Sequence, residues 1–169
     1  MSLASLLSDG SEDETRAALT RCCGSTRWVN GMLARRPFAD DAAVFRAADE
    51  VWAGVRREDV LEALTHHPEI GANLDALREK YASTAGWSAG EQGAVASADE
   101  ETLVALRDGN VAYRERFGHI FVVCATGKSA EEMLGLLRER MGNDVEEEIW
   151  VAAREQGKIT RIRLEKLVG

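Results

Sequence analysis

The sequence predicts an all-α fold, a single-domain multi-helix bundle over residues 1–169 with no true sheet. Apolar residues recur at spacings of three and four along nearly the whole chain, which is the helical period. Capping signals precede several of these stretches, Ser11 with Glu14 and Ser129 with Glu132 in the capping-box pattern. Strand character is confined to Ile120-Phe121-Val122-Val123-Cys124, too short and too solitary to build a sheet. About eight helices follow from this patterning.

Ser11 caps a helix whose apolar stripe is Ala18, Leu19 and Cys22 and which stops before Gly24. Ser25 caps the next, with Trp28, Val29, Met32 and Leu33 inward; it ends ahead of Pro37, because a residue preceding proline avoids helical geometry. Asp41 opens a third along Val44, Phe45, Ala48, Val51, Trp52 and Val55. A fourth carries Val60, Leu61 and Leu64 and runs out at His66-His67-Pro68. Leu74, Leu77 and Tyr81 define a fifth that ends near Gly86, and a short helix starts at Ser88. Asp99 begins a longer one through Leu103, Leu106, Tyr113 and Phe117, after which Ile120 to Cys124 reads as one buried extended segment. Ser129 starts a helix with Met133, Leu136 and Leu137. The last runs from about Asp144 into the C-terminus, with Val145, Ile149, Ala152, Ile159, Ile162 and Leu167 inward. Its acidic start, Asp144 to Glu148, reads as a solvated first turn whose charge suits the helix dipole. The spacing drifts too much for a heptad zipper.

Composition narrows the function. A chain of 169 residues, 45% hydrophobic and 30% charged with two prolines, is neither disordered nor collagen-like. Lys and Arg number 21 against 29 Asp and Glu, a net charge of -8 that repels phosphate backbones and anionic lipid. Neither nucleic acid nor a membrane is an expected partner. No apolar run approaches the ~18–20 residues of a membrane span. Met1 to Ser5 lacks a basic n-region, and Lys166-Leu167-Val168-Gly169 is no organellar address. Three cysteines, with Cys22 and Cys23 adjacent, suit reduced thiols in a cytoplasmic protein better than a disulfide framework.

His67 is the residue with most chemical promise. Pro68 pushes it out of helical geometry, so its imidazole can face a cleft and exchange protons near neutral pH. The alternative for the same residue is a helix C-cap, its imidazolium favoured by the dipole. A metal site from His66, His67 and Glu69 would lack both the His-Glu-x-x-His spacing and paired cysteines, so no metal is expected. His119 borders the apolar run as a core or wall residue. Ser88 with Glu91 is a formal capping box, yet Glu91 and Gln92 on a glycine-flanked first turn could also bind a polar ring. Cys22 and Cys23 read as helix packing, with no histidine near in sequence.

Several segments in order carry a family resemblance: Arg21-Cys22-Cys23-Gly24-Ser25, Arg27-Trp28, Arg36-Pro37-Phe38, His67-Pro68-Glu69-Ile70-Gly71, Ser88-x-x-Glu91-Gln92, and Phe117-Gly118-His119 through Ala125. From about Leu6 to Leu167 the chain resembles the 2-oxo-4-hydroxy-4-carboxy-5-ureidoimidazoline (OHCU) decarboxylases, the last enzymes of urate conversion to (S)-allantoin. The resemblance implies an all-helical fold, cofactor-free decarboxylation of a small anionic ureidoimidazoline, and a homodimer. It implies His67 as catalytic proton donor, with Glu91 orienting the imidazole or binding the ureido group. It implies a substrate site from Pro68, Ser88, Gln92, His119, Ile120, Phe121, Val122 and Val123. One departure stands out: many members carry arginine where this chain has Thr126, which leaves Lys128, Arg27 or backbone N–H groups to hold the anion. The three segments around His67, Glu91 and Phe121 are expected to line one pocket. The competing expectations are a non-catalytic helical interaction module and a histidine-ligated metal hydrolase.

Overall fold

Small polar residues start the helices, as their side chains can accept from backbone N–H groups that the first turn leaves unpaired. A computed structural model describes residues 1–82 and 92–169, the side chains of 92–99 excepted. Among these residues there are nine α-helices and no strand: α1 (Leu3–Asp9), α2 (Glu12–Cys22), α3 (Thr26–Ala34), α4 (Asp41–Ala53), α5 (Arg57–Thr65), α6 (Leu74–Ala82), α7 (Gln92–Phe117), α8 (Ala130–Arg140) and α9 (Val145–Lys166), with a 3-10 turn at Ile70–Ala72. The Ser11–Glu14 capping box is complete in both directions, and Ser25, Asp40 and Ser129 each accept from a backbone N–H of the first turn.

The described residues fall into two compact units. The first comprises Met1–His67 and Ile149–Gly169. Its core gathers Leu3, Leu7, Leu19, Trp28, Met32, Val44 and Leu164, with Phe45, Val51 and Trp52 packed around it. The indole N–H groups are satisfied by helix carbonyls, Trp28 donating to Ala48 at 3.2 Å and Trp52 to Ala153 at 2.7 Å. The second unit comprises Pro68–Glu148, with a core of Leu77, Leu103, Leu106, Val123, Met133, Leu134 and Leu137. Helix α9 gives its first turn to the second unit and the remainder to the first.

Four expectations are corrected. α1 was not expected; Ser2 caps it, accepting from the Ser5 N–H, and Leu3, Ala4 and Leu7 face inward. α7 begins at Gln92, not Asp99, since the stretch Gln92 to Ala98 holds no proline and its alanines at 94, 96 and 98 favour a helix. Glu148 is not solvated but fully buried. On the C-terminal helix the buried line includes Gln156, Thr160 and Leu164, whereas Ile159 and Ile162 are only half-buried. The helix expected at Ser88, and the end near Gly86, lie outside the described residues.

The segment Ile120–Cys124 carries neither helix nor strand, and within it Val122 and Val123 are buried. Gly118 makes the turn into it. Its φ of 79° is a left-handed value that side chains resist, and its N–H closes α7 by donating to the Arg114 carbonyl at 2.8 Å.

Candidate active site

In the first unit, His67 stands just past the end of α5. His66 is the C-cap, at φ -84° and ψ -3°, and the His67 N–H donates to the Leu64 carbonyl at 3.2 Å. Pro68 has no N–H to continue the ladder. The His67 ring is half-buried, and its Nε2 lies 2.5 Å from Gln156 Oε1. An amide oxygen only accepts, so Nε2 carries the hydrogen. Burial pulls the His67 pKa below the ordinary histidine value; the Gln156 bond opposes that, and the nearby charges of Arg163 and His66 add to it. The ring is thus neutral at pH 7, the opposite of an imidazolium held by a helix dipole. His66 is exposed and packs on Gly24, where a Cβ would come within 2.3 Å of His66 Cγ.

In the second unit, a cavity of about 410 Å³ is lined by Pro68, Glu69, Asn110, Arg114, Ile120 and Phe121, among others. Asn110 and Arg114 are one turn apart on α7 and face the same way. Arg114 is ion-paired with Glu69. A buried network stands behind Phe121. Arg140 donates to Glu148 at 2.5 Å and to the Val122 carbonyl at 2.7 Å. Its guanidinium lies 4.6 Å from the centre of the Phe121 ring, a cation–π distance. Glu148 also accepts from the Tyr113 hydroxyl at 2.8 Å and from Asn143 Nδ2 at 2.9 Å. The carboxylate holds the arginine, and the arginine holds the 120–124 segment at Val122. Phe121 is thereby presented to the cavity from a fixed backbone.

The chain matches the family model described as OHCU decarboxylase over residues 8–165. The chain belongs to the OHCU decarboxylase family. It is 36% identical over 158 residues to the uric acid degradation bifunctional protein TTL of Arabidopsis thaliana, covering 92% of this chain and 47% of that protein. It is 42% identical over 59 residues to the 2-oxo-4-hydroxy-4-carboxy-5-ureidoimidazoline decarboxylase of Amia calva, covering 35% of this chain and 34% of that one. The chain therefore spans about half or less of the curated relatives it matches. A crystal structure of OHCU decarboxylase in the presence of (S)-allantoin superposes with a TM-score of 0.71 at 32% identity, covering 94% of this chain and 98% of that one. That likeness bears out the all-helical fold.

In this OHCU decarboxylase family member the expected site residues are distributed as follows. Pro68, Ile120 and Phe121 line the cavity. His119 is buried with Nδ1 3.0 Å from the Ile120 carbonyl, and its ring meets Tyr113 edge-on at 5.5 Å. Val122 and Val123 turn their side chains into buried surroundings. Ser88 and Glu91 lie outside the described residues, and Gln92 is described only as the first residue of α7. The segment expectation that joins His67, Glu91 and Phe121 therefore lies partly outside them. Of the cations considered for the anion, Lys128 donates to the Cys124 carbonyl at 2.9 Å, and Arg27 lies 3.9 Å from Asp59 in the first unit. Sequence reasoning missed Arg114, Asn110 and Gln156. The first two sit on a polar face that looks solvated in sequence, and a glutamine inside a helix carries no signal of burial.

Proposed function

We propose that this OHCU decarboxylase family member converts 2-oxo-4-hydroxy-4-carboxy-5-ureidoimidazoline to (S)-allantoin in urate degradation, without a cofactor, and that residues 1–169 act as one decarboxylase domain. The observation that carries the proposal is His67, a neutral half-buried imidazole with one nitrogen engaged, within the His-Pro-Glu-Ile-Gly segment of the family. The likeness to an OHCU decarboxylase along nearly all of both chains supports it.

The substrate carries hydroxyl and carboxylate on one ring carbon. Breaking the bond to the carboxylate releases carbon dioxide, and the electron pair passes into the adjacent unsaturated ring. The enol-like species then takes a proton at carbon on one face, and its hydroxyl proton passes to the ring nitrogen that received the electron pair, so that the carbonyl forms and the net uptake is one proton. His67 is the group that supplies the carbon with its proton, which the ring, neutral at rest, first takes up at its free nitrogen. Glu91 orients the ureido group or the imidazole, and Ser88, Gln92 and Pro68 bind the substrate. The segment His119 to Val123 supplies backbone groups and, through Ile120 and Phe121, an apolar wall that keeps bulk water from the opposite face. Arg114 and Asn110 add a cation and an amide to the cavity that Pro68, Ile120 and Phe121 line, in a chain whose Thr126 offers no charge. A homodimer is proposed on the family resemblance. A cytoplasmic setting is proposed on an odd count of three cysteines, Cys22 and Cys23 adjacent in sequence, which suits reduced thiols better than a disulfide framework. No helix among the described residues is long and apolar enough to cross a membrane.

The test is to add the protein to freshly made urate-oxidation product and follow the rate and optical purity of the allantoin. Fast formation of the (S) enantiomer is expected, and no acceleration would return the chain to the non-catalytic helical module. His67→Asn should keep its helical dichroism, since a residue just past a helix end contributes only ~1 kcal/mol, yet lose about 10²–10⁴ in rate. His66→Asn should be nearly silent. Full activity in both variants would sink the proton-transfer role.

A further inference from the structure

Helix α9 supplies the partner that His67 touches, and nothing in the proposed chemistry yet uses it. We infer that Gln156, itself held by Thr160, is a positioning residue that fixes His67 in its Nε2–H form and leaves Nδ1 as the nitrogen that exchanges a proton. The inference rests on the proposed catalytic role of His67.

Gln156 is fully buried and Thr160 nearly so, so each polar atom of the pair needs a partner. Thr160 has one hydroxyl hydrogen, and it goes to the Gln156 main-chain carbonyl at 2.9 Å. Its oxygen must then accept, and it does so from Gln156 Nε2 at 3.0 Å. That contact decides which end of the amide points where: NH₂ to Thr160, Oε1 to His67. A flipped amide would set two acceptors against each other at Thr160 and two hydrogens' worth of donor against the ring. With Oε1 toward His67, Nε2 keeps its hydrogen whether the ring is neutral or charged. Only Nδ1 gains or loses one.

The arrangement extends one residue further back. The buried Cys23 thiol lies beside Thr160, and burial pushes it up to about 11, so it stays S–H and adds no charge behind the amide. Cys23, Thr160, Gln156 and His67 thus form one chain of contacts inside the first unit. This gives the Arg21-Cys22-Cys23-Gly24-Ser25 segment a place behind the histidine. Spacing on α9 allows it, because residues four apart share a face. An amide also suits the task better than a carboxylate would. It orients the ring without adding charge, whereas an anion at this distance would hold His67 as imidazolium. The other titratable or charged groups bearing on the ring are Arg163 on α9 and His66 on α5's cap, both of which disfavour its charged form.

The experiment combines ¹⁵N spectra of the His67 ring with steady-state kinetics, using the full chain. Wild type should show a single Nε2–H tautomer above the His67 pKa. Gln156→Leu should show a mixed or inverted tautomer and lose about 10²-fold in kcat, with little change in KM. Thr160→Val should move both readouts the same way by less. Gln156→Glu keeps an acceptor but adds charge, so the tautomer should stay while the His67 pKa and the acidic limb of the rate profile move upward. If Gln156→Leu does not fold by far-ultraviolet dichroism, Thr160→Val and Gln156→Glu carry the same readouts. A variant lacking the contact that keeps both the pure tautomer and the wild-type kcat, beside an inactive His67→Asn, overturns the positioning role alone. A fully active His67→Asn overturns the catalytic reading and the positioning role with it.

Discussion

Glu148 differs from its neighbours Asp144, Glu146 and Glu147, which face water, because its carboxylate is fully buried. One helical phase separates a solvated acid from a buried one, and an acidic run has no feature that reveals which member turns inward. Its partner Arg140 is buried too, and the pair stands only because Tyr113, Asn143 and the Val122 carbonyl satisfy the remaining hydrogens and lone pairs. Burial and the adjacent carboxylate push the Tyr113 phenol up, so it remains a donor at any physiological pH. Removing one charge from such a pair leaves the other without compensation. Arg140→Met should therefore cost about 3–5 kcal/mol, read by chemical denaturation. The double change Arg140→Met with Glu148→Gln should recover a good part of that, as no net charge stays buried. A cost below ~1 kcal/mol for the single variant would mean that water reaches Glu148.

The helices were the most legible elements, for a reason that also marks where legibility stopped. Capping residues and three-and-four spacing give the starts and inward faces of α2, α3, α4, α5 and α8, because these depend on neighbours in sequence. α1 was missed since a seven-residue helix shows barely two turns of period. The start of α7 was misplaced since alanine and glycine around Gly93 to Ala98 show neither stripe nor stop signal. Close approach between elements was also invisible. Gly24 lies on the link between α2 and α3, and its missing Cβ makes room for the ring of His66 at the end of α5. Gly24→Ala should destabilise by about 1–3 kcal/mol through overpacking, and His66→Ala in the same chain should relieve most of it. Thermal melts of the two single variants and the double would decide; an unchanged midpoint for Gly24→Ala would mean the ring yields freely.

Across the whole molecule, net charge and apolar content bounded the class of protein, while the candidate site came through in fragments. His67 was legible because a proline follows it, and Phe121 because its run is apolar. Gln156, Asn110 and Arg114 were not, because only the folding of separate segments turns an ordinary polar helix residue toward a ring or a cavity. The two adjacent cysteines of the first unit have a different consequence. Cys22 and Cys23 are each 1% exposed, with thiols at about 11, so only about 10⁻⁴ of either is thiolate at pH 7 even before access is counted. An alkylating reagent can reach them only when this unit opens, which makes the pair a stopwatch for native-state opening. Timed iodoacetamide labelling read by mass spectrometry should show half-buried Cys124 modified first. Cys22 and Cys23 should follow together, at a rate that climbs with denaturant. Labelling of that pair as fast as a free thiol would mean that the first unit breathes far more often than its packing implies.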